Sequence, residues 1–453
     1  MNIIIAGVGK VGMTLARQLS AEDHDLTIID HRTEVLESCV EDFDVMAYEG
    51  NCATMEVLRE AGIESTDLLL AMTNADEVNL LCCMTAHIMN PKIHTIARIR
   101  DPEYAKQAIA MRSAFALSMV VNPDNSAARE IGRLIKYPGF LKRDTFTKGM
   151  VEIVELRVDA DSKLNGIPMY KMSSIANCQV LVCAVLRNGT TQIPSGNFEL
   201  KEGDRIFVTA PSGNLAILLK SLGIITHKAR KVLIAGGSRI SYYLAKNLLN
   251  QGMDVQIIER DEARCHHLAC LLPEASIIHG DASNQYVLNR EGLEQCDAFV
   301  TMTGVDETNL IMSLYASKKK VPQIITKLSR AENLQILDEL TVGSTICPKE
   351  LCASQVVRYV RAMQNQVGAA VTVHAIADGQ AEALEFVVDD NTLHCGEMLK
   401  NVKLKKNILI ACIMHKGAID IPTGDSFYMP GDTLVVVEGG QGEVRQLNDI
   451  FEV

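Results

Sequence analysis

The stretch IAGVGKVG, at residues 5–12, follows a short apolar run and precedes a predicted helix. A glycine loop between a strand and a helix is typical of dinucleotide-binding folds. In such a loop Gly7 permits the tight turn, Gly9 lets the backbone approach a phosphate, and Gly12 lets the helix pack closely on the strand. The N-terminus of the helix then offers free N–H groups to an anion. The stretch therefore predicts a nucleotide site, and glycines kept only for packing are the alternative interpretation.

Six apolar runs alternate with predicted helices over the first third of the chain. They are NIIIA (2–6), DLTIID (25–30), DVMAY (44–48), DLLLAM (67–72), IHTIARI (93–99) and FALSMVV (115–121). This alternation indicates a parallel sheet covered by helices on both faces. Because strand–helix–strand crossovers are right-handed, we expect a doubly wound α/β order.

From about residue 150 the pattern changes to strands broken by turn signals, VEIVELRV, QVLVCAVLRNG and DRIFVTA, closed by the helix-like NLAILLKSLG. This composition predicts a small α+β domain.

The whole arrangement then repeats. The glycine loop returns as IAGGSRIS at residues 234–241, DLTIIDH matches DVQIIER, AMTNADEVNL matches TMTGVDETNL, and IPSGNFELKEGD matches IPTGDSFYMPGD. Long self-matches in the same order indicate a duplication. We therefore expect two tandem Rossmann-like doubly wound α/β domains, each followed by a small α+β domain. The predicted boundaries are 1–147, 148–225, 229–368 and 370–453.

Composition narrows the class of protein. Apolar residues make up 47% of the chain and charged residues 22%, as in ordinary globular proteins. The formal net charge of −12 argues against a nucleic-acid partner, because such partners select a basic face. No apolar run reaches the roughly 18 residues of a membrane span, and the first strand leaves no room for a signal peptide. With thirteen cysteines in apolar surroundings, we expect a cytoplasmic protein with reduced thiols and no metal site.

Asp30 ends the second predicted strand, where a carboxylate can hold a ribose hydroxyl. The same carboxylate should repel a phosphate on the adenosine 2′ oxygen, so it favours NAD or another adenine nucleotide over NADP. Arg32 lies two residues further on and could reverse this preference, which leaves both ligand classes open.

Further polar residues follow the fourth and fifth strands, at the edge where ligands collect in doubly wound sheets. Thr73 and Asn74 follow the fourth strand and could contact a ligand or only cap the next helix. Arg98 and Arg100 end the fifth, where one could donate to a phosphate and surface solvation is the alternative.

The second glycine loop is altered. Ser238 and Ser241 replace two of its three glycines, so close backbone approach becomes harder but not impossible. Glu259 keeps an acid at the strand end, and Lys327 stands where the first copy has Arg98. We expect the second site to be occupied in a different way, or more weakly.

No catalytic motif accompanies the glycine loops. The small domains contain no GxSxG, no HExxH and no Walker-type GxxxxGK[ST], and no paired motif that would deliver a proton donor to a nicotinamide. A duplicated nucleotide fold of this kind favours a sensor over an enzyme. The alternatives are an NAD-dependent oxidoreductase and a stand-alone nucleotide sensor with another partner.

Several motifs together resemble the RCK (regulator of potassium conductance) family over the whole chain, in two tandem units. They are the glycine loop with Asp30, EGNCATMEVLREAGI, MTNADEVNL, ARIRDPEY and the four-domain order. The resemblance is to the regulatory subunits of bacterial Trk potassium uptake systems. It implies NAD(H) or ATP/ADP as regulatory ligands, no catalysis, and a homo-oligomeric ring of four chains under a membrane-embedded potassium-translocating Trk subunit.

The resemblance also implies the binding residues. In the first unit these are Gly7, Val8, Gly9, Lys10, Val11, Gly12, Asp30, Asn51, Cys52, Thr73, Asn74 and Arg98. In the second unit they are Gly236, Gly237, Ser238, Arg239, Ile240, Glu259, Gly280, Asp281 and Lys327. Asn51 departs from the family pattern, because the family and Asp281 of this chain have aspartate there.

The ring needs contacts between chains. Apolar residues of the last helix of the first α/β domain, and two just beyond it, are candidates: Ile131, Leu134, Ile135, Phe140 and Leu141. Packing against their own sheet is the alternative.

Overall fold

Residues 2–136 form the first parallel sheet and its helices. The computed structural model describes residues 1–22, 24–136, 141–146, 150–223, 229–330, 343–364, 370–440, 444 and 446–452. The strands are β1 (Asn2–Ala6), β2 (Asp25–Asp30), β3 (Val45–Glu49), β4 (Leu68–Ala71), β5 (His94–Arg98) and β6 (Met119–Val121). The helices are α1 (Lys10–Ser20), α2 (Thr33–Asp42), α3 (Met55–Glu60), α4 (Asp76–Met89), α5 (Pro102–Ala110) and α6 (Pro123–Lys136).

The strand order of this sheet is β3-β2-β1-β4-β5-β6, and the paired strands are parallel. The order reverses between β1 and β4, which pair from Ile3 opposite Leu68 to Ala6 opposite Ala71. At such a reversal the two flanking loops leave the sheet in opposite directions and open a crevice at the carboxyl edge. The glycine loop follows β1, so it lines this crevice.

A small antiparallel sheet follows. Its strands are β7 (Lys142–Phe146), β8 (Val151–Arg157), β9 (Leu181–Arg187), β10 (Thr190–Gln192) and β11 (Arg205–Pro211), with helices α7 (Met172–Ala176) and α8 (Leu215–Leu222). The strand order is β10-β9-β11-β8-β7. Residues 151–156 of β8 are buried in an unbroken run, so both faces of this sheet are covered.

The second parallel sheet has the strands β12 (Lys231–Ala235), β13 (Asp254–Glu259), β14 (Ser276–His279), β15 (Ala298–Thr301), β16 (Gln323–Lys327) and β17 (Ser344–Ile346). Its helices are α9 (Arg239–Leu249), α10 (Glu262–Leu271), α11 (Gln285–Arg290), α12 (Asp306–Lys318) and α13 (Pro348–Gln364). The order, β14-β13-β12-β15-β16-β17, reproduces that of the first sheet. The predicted duplication and the predicted α/β fold class are thus confirmed.

A second antiparallel sheet closes the chain, with β18 (Thr372–Ile376), β19 (Ala381–Val387), β20 (Ile408–His415), β21 (Ala418–Asp420) and β22 (Thr433–Glu438). It packs on the first antiparallel sheet through one apolar cluster that includes Phe146, Ile153, Ala383 and Val437. The side chain of Gln380 adds polar contacts, donating to the Gly189 carbonyl oxygen at 2.7 Å.

The predicted domain boundaries fall at residues 147–148, 225–229 and 368–370, most of which lie outside the described residues. They stay predictions. Met1–Glu130 form one unit with Cys347–Val360, whereas Ile131–Lys327 group with Arg361–Val453. Among the described residues, no helix combines the length and the apolar composition that a bilayer crossing requires.

Helix α13 belongs in sequence to the second repeat but packs in the first unit. Glu350 accepts hydrogen bonds from Arg17 and Gln18 of α1, both at 3.1 Å. Further along the helix, Gln355 accepts a hydrogen bond from the Ser126 hydroxyl at 3.1 Å. The helix that follows the first glycine loop is therefore held by a segment of the other repeat.

The prediction that Ile131, Leu134 and Ile135 assemble a ring between chains is wrong. These side chains are at most 1% exposed, so they are not available to another chain. This part of α6 groups with the second unit. A side chain at Gly132 would meet Leu244 and Asn247 of α9, which shows what covers this turn of the helix. Leu141 is half-buried, and Phe140 lies outside the described residues.

Candidate nucleotide sites at the carboxyl edges of the parallel sheets

The three glycines of the first loop have different roles. Gly7 has φ of +93°, and a Cβ there would lie 2.7 Å from the Thr73 nitrogen, so the fold requires glycine. A side chain at Gly12 would collide with the Gly7 carbonyl. Gly9 has an ordinary φ of −76°, and a Cβ there would have no heavy atom within 4 Å. Gly9 is therefore not required by the fold, and the open space beside it is available to a ligand.

The first turn of α1 is open to an anion. Gly9 is its N-cap and provides no side-chain cap, so the N–H groups of this turn have no side-chain acceptor. Val8 and Val11 are buried and can contribute only their backbone, whereas Lys10 is exposed. The turn combines backbone donors with the positive end of the helix dipole, the arrangement that binds phosphate.

Asp30 is buried at the end of β2 and fixes the glycine loop. Its Oδ2 accepts a hydrogen bond from the Val8 N–H at 2.8 Å. Arg32 donates to the same carboxylate from its backbone N–H, Nε and Nη2, at 3.0 to 3.1 Å. Burial alone would raise the pKa of Asp30, but the hydrogen bonds from Arg32 and Val8 outweigh it and hold this pKa below its usual value.

Thr73 lies directly beside the glycine loop but uses its hydroxyl within the protein. Its Oγ1 donates to Asn79 Oδ1 at 2.7 Å and accepts from the Ala75 N–H at 3.4 Å, just before α4. Asn74 is exposed, and its Oδ1 accepts from Arg98 Nη2 at 3.0 Å. A ligand at this edge can therefore reach Asn74 without disturbing the turn.

Asn79 holds the edge of the sheet together and was not among the predicted site residues. Its Oδ1 accepts from both the N–H and the hydroxyl of Thr73, and its Nδ2 donates to the Arg98 carbonyl at 2.8 Å and to the Thr73 carbonyl at 3.2 Å. Asn309 makes the equivalent four contacts with Thr73's counterpart, Thr303, and with the Lys327 carbonyl. Both copies of the MTNADEVNL-like motif keep this asparagine, and this repetition could have identified it from the sequence alone.

We expect Asn79→Ala to lower the local stability of this edge by about 2–4 kcal/mol, because a buried N–H and carbonyl lose their partners. Amide hydrogen exchange of β4 and β5 measures the effect. Asn74→Ala, at an exposed neighbour, serves as the control and should change the exchange little. Unchanged protection of β4 and β5 in Asn79→Ala would show that this amide does not hold the edge.

The two predicted arginines are used differently. Arg100 pairs with Asp124, its Nε 2.8 Å from Oδ2. Arg98 is only 6% exposed, which excludes the surface-solvation interpretation for it, and its Nε is buried without a hydrogen-bond partner. Burial lowers the pKa of Arg98, and the neighbouring Arg100 adds to this effect. Arg98 is therefore a buried cation with donor capacity left over.

Asn51 replaces aspartate without loss of the local turn. Its Oδ1 accepts from the Ala53 N–H at 3.1 Å, as Asp281 Oδ1 accepts from the Ser283 N–H at 2.9 Å. The hydrogen bonds from Ser283 lower the pKa of Asp281. Cys52, next to Asn51, is buried with its thiol hydrogen-bonded to Cys82.

The second glycine loop is closed by its own serines. Gly236 keeps a positive φ, +103°. Ser238, in the place of Gly9, is the N-cap of α9, and its hydroxyl accepts from the Ser241 N–H at 3.2 Å. Ser241, in the place of Gly12, donates its hydroxyl to the Gly236 carbonyl at 2.5 Å and accepts from the Ser238 N–H. This capping box takes N–H groups that the first loop leaves open.

The acid of the second site is one carbon longer, and the loop makes room for it. Glu259 Oε2 accepts from the Gly237 N–H at 2.5 Å, the bond that Asp30 makes with Val8 in the first site. A Cβ at Gly237 would lie 2.9 Å from Glu259 Oε2. Val8 and Asp30 together therefore fill the same space in the first copy that Gly237 and Glu259 fill in the second.

The remaining predicted residues of the second site lie on the same edge. Lys327, at the end of β16, donates from Nζ to the Thr303 carbonyl at 2.9 Å. Gly280 extends the pairing of β13 and β14 through its N–H to the Glu259 carbonyl. Arg239 is exposed, whereas Ile240 is buried and presents only its backbone.

Comparison with known proteins agrees with this architecture. The TrkA-N domain family matches residues 3–123 and again residues 232–348, and the TrkA-C domain family matches residues 153–223. The fold and these matches thus define a protein with tandem TrkA-N domains.

A relative from Archaeoglobus fulgidus, described as a Trk system potassium uptake protein TrkA homolog, is 32% identical over 451 residues and covers all of both chains. The chain belongs to the TrkA family. Among solved structures, the GsuK RCK domain covers 98% of this chain and 92% of its own, with a TM-score of 0.62 and 16% identity. The GsuK channel bound to NAD has the same TM-score at 17% identity, covering 98% of this chain and 77% of its own. These likenesses show the shared fold.

Proposed function

We propose that this chain is a nucleotide-binding regulatory subunit that gates a Trk-type potassium-translocating membrane protein from its cytoplasmic face and catalyses no reaction. Nucleotide binding rests on one observation above all. Gly9 leaves open space above an uncapped helix N-terminus, and the same edge of the sheet holds a buried arginine with an unpartnered Nε. A bound phosphate group would accept hydrogen bonds from the N–H groups of this turn and from Arg98.

The nature of the ligand follows from the same residues. Phosphates fit the glycine loop and Arg98, and the end of β2, where Asp30 lies, is the edge at which a doubly wound fold holds a ribose. NAD is bound in the GsuK channel, which shares this fold. NAD(H) and ATP or ADP are therefore the candidate regulatory ligands, and the second site, with its capping box, is expected to bind them more weakly or in another pose.

Regulation, rather than catalysis, fits the chemistry of the described site residues. They are backbone donors, amides, a carboxylate already paired with Arg32, and an arginine, and these groups bind anions without transferring a proton to a substrate. The relatives of this chain are described as Trk system potassium uptake proteins, so we expect the transported ion to be potassium. The membrane partner is the potassium-translocating subunit, and the chain is expected to work as a homo-oligomeric ring.

A nucleotide can gate the partner only if it binds two conformations of the regulator with different affinity. Thermodynamic linkage then requires the membrane partner to change nucleotide affinity by the same factor, typically about 5- to 150-fold. The test is calorimetric titration of ATP, ADP, NAD and NADH into the chain alone and into its complex with the membrane subunit in nanodiscs. A shift for at least one nucleotide is expected, and identical affinities for all four would contradict gating.

A further inference from the structure

The carboxylate of Asp30 has no acceptor position left for a ribose. A carboxylate offers about four lone-pair directions. Asp30 receives four hydrogen bonds, one from Val8 and three from Arg32, and the ring of His31 lies 3.4 Å from Oδ1 as well. A 2′,3′-diol can hydrogen-bond this carboxylate only after the Arg32 side chain has left it.

The Arg32 side chain meets Asp30 with two of its N–H groups. Nε lies 3.0 Å from Oδ1 and Nη2 lies 3.1 Å from Oδ2, so the ion pair is bidentate. A guanidinium has five N–H donors in a fixed plane, so three remain that point away from the carboxylate. The side chain is 48% exposed, which leaves these donors open to a bound molecule. The pair therefore presents a cationic outer face where the sequence alone predicted a bare acid.

The second repeat differs at this position. Glu259 accepts only the N–H groups of Gly237 and Asp261 in the described structure, so acceptor positions remain for a diol. Asp261 replaces Arg32 and brings a second carboxylate. The nearby Arg264 donates its Nε to the Gly237 carbonyl at 2.6 Å, toward the loop.

We propose that Arg32 makes the first repeat a site for dinucleotides that carry a phosphate on the adenosine 2′ oxygen, the NADP(H) class. This inference rests on the proposed nucleotide-binding function and replaces NAD(H) by NADP(H) as the preferred dinucleotide of its first site. The end of the second strand is where a doubly wound fold meets the 2′ position. A 2′-phosphate there would bind the free N–H groups of Arg32 while the ion pair with Asp30 stays intact. NADH would have to break that pair.

The test is direct titration of NADPH and NADH into the full-length chain, followed by nicotinamide fluorescence, which tryptophan does not disturb because the chain has none. The part of the fluorescence change that is lost in Gly9→Val is assigned to nucleotide binding in the first repeat. Wild type should bind NADPH at least about tenfold more tightly than NADH there, as expected for one or two charge-assisted bonds. In Arg32→Ala, NADPH binding should weaken at least about tenfold, and NADH binding should stay the same or tighten.

Two controls separate this effect from general electrostatics. Arg59→Ala removes the same charge from the last turn of α3, which runs back toward the amino edge of the sheet, and should leave the NADPH preference unchanged. Adenosine 2′,5′-bisphosphate should compete for the first site better than AMP, which assigns the preference to the 2′-phosphate and not to the rest of the dinucleotide.

Equal affinity for NADPH and NADH in wild type would overturn the inference, and so would a preference that survives in Arg32→Ala. Either result would leave the proposed nucleotide site standing, since binding that depends on Gly9 would still be present. Absence of any Gly9-dependent binding would instead contradict the proposed site, and this inference with it.

Discussion

Replacing Gly9 with valine is expected to abolish nucleotide binding in the first repeat while leaving the fold of that repeat intact. The backbone at Gly9 is in a region open to any residue, and a Cβ there has no heavy atom within 4 Å apart from its chain neighbours. The same side chain would fill the space that a phosphate needs. We expect affinity to fall at least about 100-fold, that is about 2.7 kcal/mol or more.

Calorimetry measures this loss, and thermal unfolding should show a decrease of only about 1 kcal/mol, the cost of a poorer N-cap, since valine is disfavoured relative to glycine at this position. Ser238→Val makes the equivalent change in the second repeat. It removes a capping box and should cost about 1 kcal/mol there, without affecting the first site. Normal binding by Gly9→Val would show that no phosphate lies on this turn.

Replacing Arg98 with methionine is expected to change stability and binding in opposite directions. Arg98 is buried, its Nε has no partner, and its burial lowers its pKa, so the unliganded protein bears a desolvation cost. Methionine fills similar space without that cost. The unliganded domain should therefore be as stable as wild type or more so, whereas nucleotide binding should weaken about 10- to 100-fold through loss of charge-assisted hydrogen bonds.

Arg100→Met is the matched control, because it leaves the buried Asp124 without its bidentate partner. That variant should lose stability by about 1–3 kcal/mol, as expected when a buried carboxylate loses its charge-assisted partner. Thermal unfolding with and without nucleotide separates the two variants. An Arg98→Met protein that is strongly destabilised and still binds nucleotide normally would make Arg98 a structural residue.

The periodicity of the sequence was sufficient for the parallel sheets. The apolar run at 25–30 coincides with β2, and the run at 2–6 coincides with β1. Buried parallel strands read as continuous apolar runs, so their positions could be predicted locally. The repeated motifs predicted the duplication for the same reason, since equivalent sheet edges need equivalent residues such as Asn79 and Asn309.

Contacts between distant segments could not be predicted in this way. The apolar face of α13 shows that it packs, but nothing in its sequence says that Glu350 reaches α1 of the other repeat. The pairing of Arg32 with Asp30 depends on a rotamer, which spacing alone leaves open. The different roles of Gly7, Gly9 and Gly12 could be distinguished only from their backbone angles and the atoms around them. The binding residues themselves stay predictions.

Potassium flux through the reconstituted complex of this chain with its membrane partner tests the central claim most directly. Flux is measured first with ATP and then with ADP. It is also measured with NADPH or NADH and then with the corresponding oxidised dinucleotide. Each series is run with wild type and with Gly9→Val. A gating subunit predicts flux that depends on the nucleotide in wild type and a smaller dependence in Gly9→Val, because one class of site is lost. Equal flux under all nucleotides, with binding confirmed, would contradict the account and leave the chain a scaffold.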